Sequence, residues 1–243
     1  MIGIDWTALP AAEQFLFARY FMYRTVYYHK TTFGMEETFR QLLRRCQQRE
    51  GYSVPSDGDA IRALVAHSAG LVEFTDHFAD AVARKALAEG DHVISRLAEV
   101  VVHRKPPKLL REEVALVDTT QESERKHNAC TSFLQACRRE TKKLATDNKL
   151  PLGLFFVTQV PPIRLERRGP LIPATEASGQ PGEKEDELIK VFRGTEAEPK
   201  SLVDIPESLI KHCAHRVAYI VRLYAVEYDD RRVKKLREAV RAW

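Results

Sequence analysis

The polar–apolar pattern opens on one long helical stretch. From Pro10 to about Cys46 apolar residues recur at helical spacing, with only Gly34 interrupting them. Pro10 suits a first helical turn, Asp5 or Thr7 can cap it, and Glu13 lies on the favourable side of the helix dipole. So long a run in a globular chain is expected to break, and the expected place is between Thr31 and Gly34. GYSVPSDGD, 51–59, reads as a turn cluster ahead of a short helix over 58–69. Thr75 caps a helix through DHFADAVARKAL, and Asp91 caps another through HVISRLAEVVVHR.

The pattern changes at Lys105-Pro106-Pro107. Residues 109–118 and 153–160 read as strands on either side of a helix over about 120–147, and 188–194 and 217–228 read as a third and a fourth strand. Five prolines mark 161–187 as a loop. A short helix is expected from Pro206 through His215, and Asp229 or Asp230 caps a basic terminal helix. The expected class is α+β, mainly α: a helical region over 1–104, then an α+β lobe over 105–243 with an antiparallel sheet.

Composition changes this picture little. Hydrophobic residues make up 44% of the 243 residues, enough for a real core, and the formal net charge of +4 permits an anionic partner without demanding one. Cys46, Cys130, Cys137 and Cys213 form no CxxC pair and read as reduced thiols. No signal-peptide pattern and no membrane-length apolar run occurs, so a soluble, cytoplasmic chain without a membrane partner is expected. His212 and His215 form HxxH but lack the spacing and the glutamate of a zinc-protease helix, and read as surface residues. Asp76-His77 reads as a capping region. No phosphate-binding glycine loop and no nucleophile elbow is present. The terminal RRVKKLREAVR is either a solvated amphipathic face or a weak nucleic-acid contact.

The richest chemistry lies in ARYFMYRTVYYHK, 18–30. At about 100° per residue, Arg19, Tyr23, Val26, Tyr27 and Lys30 share one arc of a regular helix, and Arg24 and Tyr28 lie roughly opposite. A guanidinium, an ammonium and phenols on one stripe suit a phosphorylated aromatic ligand. They equally suit a helix whose aromatic bodies pack while its cations reach water. Residue chemistry alone leaves both readings open.

The longer run FLFARYFMYRTVYYHKTTFGMEETFRQLL, 15–43, closely resembles a segment of the HD-domain deoxynucleoside triphosphate triphosphohydrolases (dNTPases). Arg19, Met22, Arg24, Val26, Tyr27, His29 and Lys30 all fit that family's signature. FTDHFADAVARKALAEGDHVISRLAEVVVHRKPPK resembles its following helices. ELIKVFRG, VDIPESLIKH and RVAYIVRLYAVEYDD look like its C-terminal lobe, including that of the vertebrate SAM- and HD-domain members.

The resemblance implies the C-terminal part of an all-helical HD bundle followed by a small antiparallel-sheet lobe. It implies hydrolysis of a dNTP to deoxynucleoside and tripolyphosphate, assisted by a divalent metal (Mg, Mn or Fe). It places Arg19 on substrate phosphate, Tyr27 on the deoxyribose and Tyr28 near the base, with Tyr23 on the same stripe. His29 and Lys30 match positions that bind an activating nucleotide in oligomeric members, and Arg24 falls in that off-stripe group. The family's metal ligands, however, precede this segment, and the chain contains no His-Asp dipeptide. The expectation is therefore a fragment or half of an enzyme, inactive alone and assembling with itself or with an HD-bearing chain. The alternative is a non-catalytic relative: a nucleotide sensor or a protein- or nucleic-acid-interaction module. Without the HD bundle, Phe15, Phe17, Phe21 and Met22 are expected to be partly exposed.

Overall fold

A computed structural model of the chain describes residues 3–66, 74–165, 189–193, 199–241 and 243. The class is α+β, mainly α. The described chain forms two compact units. Unit 1 comprises Met1–Tyr28, Glu113–Phe133 and Gln159–Val221; unit 2 comprises His29–Glu112, Leu134–Thr158 and Arg222–Trp243. The division at 104/105 read from the sequence marks where helices give way to a mixed pattern; the two units reflect which residues touch.

In unit 1, strand β1 (Gly3–Asp5) leads through a 3₁₀ turn, Trp6–Ala8, into helix α1 (Leu9–Met22). The expected cap is corrected here. Asp5 accepts the Thr7 N–H at 2.9 Å and so caps the 3₁₀ turn, whereas α1 starts on Ala8 without a side-chain cap and with Pro10 in its first turn. Glu13 does not serve α1's own terminus either. Its carboxylate accepts the Ser208 hydroxyl at 2.7 Å and the Leu209 N–H at 2.8 Å, at the start of a one-turn helix, Leu209–Cys213.

β1 pairs in parallel with β4 (Lys190–Phe192), which pairs antiparallel with β5 (Lys200–Ser201). The third strand read from the sequence therefore joins the N-terminal strand instead of the other long strands. Behind this sheet Leu9, Leu16, Leu165, Val191, Leu202, Ile205 and Ile210 form a buried core.

In unit 2, α2 (Lys30–Gln47), α4 (Asp76–Leu87) and α5 (His92–Val102) bury Leu42, Cys46, Val82, Ala86, Ile94, Leu97 and Val100 around Phe156 and Tyr224. The short α3 (Gly58–Val65) lies between α2 and α4 in the chain, and the rest of its expected span, from 67, lies outside the described residues. Thr75 and Asp91 cap α4 and α5 as expected, accepting the N–H groups of His77 at 3.3 Å and Val93 at 2.9 Å.

The three long strands β2 (Lys108–Asp118), β6 (Arg216–Ala225) and β3 (Phe155–Arg164) form a second sheet in the order β2-β6-β3. Thr119 N–H meets the His215 carbonyl at 2.8 Å while Glu112 pairs with Arg222, so β2 and β6 run antiparallel. β3 continues through Pro161 and Pro162, where the sequence pattern gives a loop. It is an edge strand, and an edge tolerates residues without an N–H. The rest of that loop, 166–188, lies outside the described residues.

The helix expected over 120–147 is two, α6 (Glu122–Lys126) and α7 (Ala129–Asp147), separated at His127-Asn128. The short helix expected from Pro206 is α8 (Leu209–Cys213), and α9 (Asp230–Val240) starts on the Asp229 cap. Among the described residues no helix is long and apolar enough to cross a membrane.

Candidate functional site

α1 is held on its inner side by Leu9 and Leu16, with Phe17 and Tyr20 packed against the same core. Its outer side is unusually apolar. Phe15 is 65% exposed, Phe21 54% and Met22 41%, and Val26 and Tyr27 continue the row beyond the helix end at 60% and 54%. Phe17 is half-buried, partly exposed as expected, and packs against the core of unit 1.

The helix then changes pitch. The Thr25 hydroxyl donates to the Phe21 carbonyl at 2.7 Å, as Thr38, Thr141 and Thr146 do to their own i−4 carbonyls inside regular helices. Residues Tyr23–Tyr27 open into a π-helical turn, closed by a bond from the Tyr28 N–H to the Tyr23 carbonyl at 2.9 Å. In this turn positions i and i+5 meet. Tyr23 therefore touches both Tyr27 and Tyr28, with ring centroids 5.1 Å and 5.9 Å apart. This corrects the placement of Tyr28, which regular helical geometry puts opposite the stripe.

Arg19 lies one turn earlier, half-buried. Its Nη2 donates to the Leu165 carbonyl at 2.7 Å, and its Nε is buried without a hydrogen-bond partner among the described residues. Arg24 and Tyr27 are solvent-exposed on the π turn.

The helix break comes at Tyr28–His29, earlier than the Thr31–Gly34 interval expected. His29 leaves helical geometry at ψ 136°, and its Nδ1 accepts the Thr31 N–H at 3.3 Å to start α2. Lys30 thus begins a new helix and does not share a stripe with Arg19. Arg19, Tyr23, Arg24, Tyr27 and Tyr28 belong to unit 1, whereas His29 and Lys30 belong to unit 2. In unit 2 the Tyr224 hydroxyl donates to the Lys30 carbonyl at 2.8 Å. The Tyr224 ring stacks on Phe156 and lies beside Gly34. Sequence reasoning did not single out Tyr224, Thr25 or the Leu165 carbonyl. Only Thr25 carried a local signal, a hydroxyl able to reach back four residues.

The other candidates do not assemble into chemistry. His212 lies exposed on α8, and the His215 carbonyl accepts from Thr119. Asp76 and His77 occupy the first turn after the Thr75 cap. All four cysteines are thiols; burial pushes Cys137 up to about 11. Among the described residues no three of His, Cys, Asp and Glu converge where a metal ion could be held.

Residues 2–64 match the family model of an HD-associated region, so the stretch from Arg19 to Lys30 falls wholly within the match. No curated protein matches the chain. Among solved structures, a phosphohydrolase from Bacteroides thetaiotaomicron shares the fold at a TM-score of 0.55 and 16% identity, over 91% of this chain and 51% of that one. The chain thus spans about half the length of the structure it matches.

Proposed function

We propose that this chain is the nucleotide-contacting part of an HD-type phosphohydrolase acting on deoxynucleoside triphosphates. The carrying observation is that the HD-associated match runs through the whole cationic and tyrosine-rich stretch. In this reading Arg19 binds substrate phosphate, and Tyr27 offers its exposed ring to the deoxyribose. Tyr28, with Tyr23 against it, flanks the base. His29 and Lys30 contact a second, regulatory nucleotide. The described residues do not fit the divalent ion that hydrolysis in this family uses, so no reaction step is assigned to them. Their part is to bind and orient the nucleotide. The remaining part of the site belongs to an HD-bearing segment or partner chain.

Calorimetric titration with each dNTP tests this reading. Arg19→Ala is expected to weaken binding by about 1.5–3 kcal/mol, the range for a hydrogen bond to a charged group. Unchanged affinity in a folded variant removes Arg19 from the site. Release of tripolyphosphate by the purified chain alone would overturn the division of labour.

One observation favours a second reading, an assembly module. The exposed row Phe15, Phe21, Met22 and Val26 is the kind of apolar surface that associates with a partner or a second copy. Light scattering that gives a monomer at every concentration would count against self-association.

A further inference from the structure

α9 closes unit 2 with its apolar side already used: Val233, Leu236 and Val240 are buried. Several contacts fix the helix in place. Asp229 accepts the Arg232 N–H at 2.9 Å, and the Arg232 side chain pairs with Glu227 at 3.4 Å. Arg237 donates to the Leu109 carbonyl at 3.0 Å. Arg111 gathers the carbonyls of Val240 and Trp243 at 3.0 Å and 2.7 Å.

Four other cations remain outside this framework. The side chains of Arg231, Lys234, Lys235 and Arg241 are exposed and make no hydrogen bond or ion pair among the described residues. At about 100° per residue they lie on the side of α9 away from the buried residues. Glu238 is the carboxylate among them, and Asp230 sits at the helix start.

We propose that this row binds the phosphate backbone of double-helical nucleic acid without reading its sequence. Neighbours at i,i+3 and i,i+4 stand about 5–6 Å apart. A duplex carries a negative charge every ~1.7 Å of its axis, so a row about 16 Å long meets several phosphates at once. A bilayer is a poorer match, because insertion needs an apolar helix face and that of α9 is buried. A single strand is also a poorer match, because α9 holds no aromatic ring on which bases could stack and Trp243 beyond it is half-buried. The inference is independent of the nucleotide site proposed above.

The test is fluorescence polarisation of the full chain with a labelled mixed-sequence DNA duplex across a salt series. Binding is expected to weaken linearly in log salt with a slope of about −3 to −4, as for four phosphate contacts. The R231E/K234E/K235E variant is expected to bind at least about tenfold more weakly at low salt, since it reverses most of those contacts. Glu238→Lys is expected to tighten binding and steepen the slope by about 1. This gain separates the proposal from a loss of folding, and circular dichroism checks both variants. No duplex binding by the folded chain, or equal binding by the triple variant, would overturn the proposal. So would tighter binding of single strands, of phosphatidylserine vesicles or of polyglutamate than of duplex.

Discussion

Tyr224 joins three jobs in one side chain. Its ring stacks on Phe156, its edge fills the space that Gly34 leaves, and its hydroxyl ties down the Lys30 carbonyl at the start of α2. Burial pushes its phenol up to about 12 from an ordinary 10.0, the Arg222 charge pulling the other way. The folded state therefore prefers the neutral phenol. Its contribution is intact below pH 10 and is lost as the pH rises from there through about 12, while the unfolded chain ionises first. Alkaline titration followed by circular dichroism and phenolate absorbance should show unfolding and ionisation together. Tyr224→Phe should lower stability at neutral pH by about 1 kcal/mol, for the lost hydrogen bond, and should soften the alkaline loss. Denaturant midpoints at pH 7 and above pH 10 measure both.

Helices whose signals are local were legible in the sequence. Thr75, Asp91 and Asp229 cap where their side chains announce it. The π turn was not legible, because a stripe drawn at a fixed angle per residue assumes the α pitch, from which Tyr23–Tyr27 depart. That one change brings Tyr28 to Tyr23, and the break after it removes Lys30 from the Arg19 stripe. Thr25→Val, which keeps the shape and loses the hydroxyl, should leave the turn in place, because the Tyr28 N–H bond to the Tyr23 carbonyl closes it. Persistence of ring-proton contacts between Tyr23 and Tyr28 by NMR measures this.

β1 and β5 were missed for a different reason. Strands of three and two residues have no room for alternation, and β1 in addition finds its partner, β4, almost the whole chain away. Gly34 was read as an interruption, yet it lies inside α2 as a site of close approach. A Cβ there would come within 2.9 Å of the Tyr224 ring and 3.1 Å of Pro107. Gly34→Ala should therefore destabilise by about 1–3 kcal/mol through overpacking, despite the better helix propensity of alanine, as read by thermal unfolding.

At the scale of the whole molecule, each unit is assembled from three separated stretches of chain. The core that buries Leu9 and Leu16 includes Ile205 and Ile210, and the core around Leu42 and Leu97 includes Tyr224 and Val226. Such long-range closure predicts slow folding, in the range of milliseconds to seconds, for stopped-flow refolding to check. It also has a consequence on the ribosome. α1 and α2 emerge long before the residues that cover them are translated. At about 5–20 residues per second, apolar side chains of α1 and α2 wait roughly ten to forty seconds for their partners. Nascent-chain arrest before Ile205 should accordingly give a species that chaperones hold and proteases cut, and arrest beyond Trp243, with the tunnel cleared, should not.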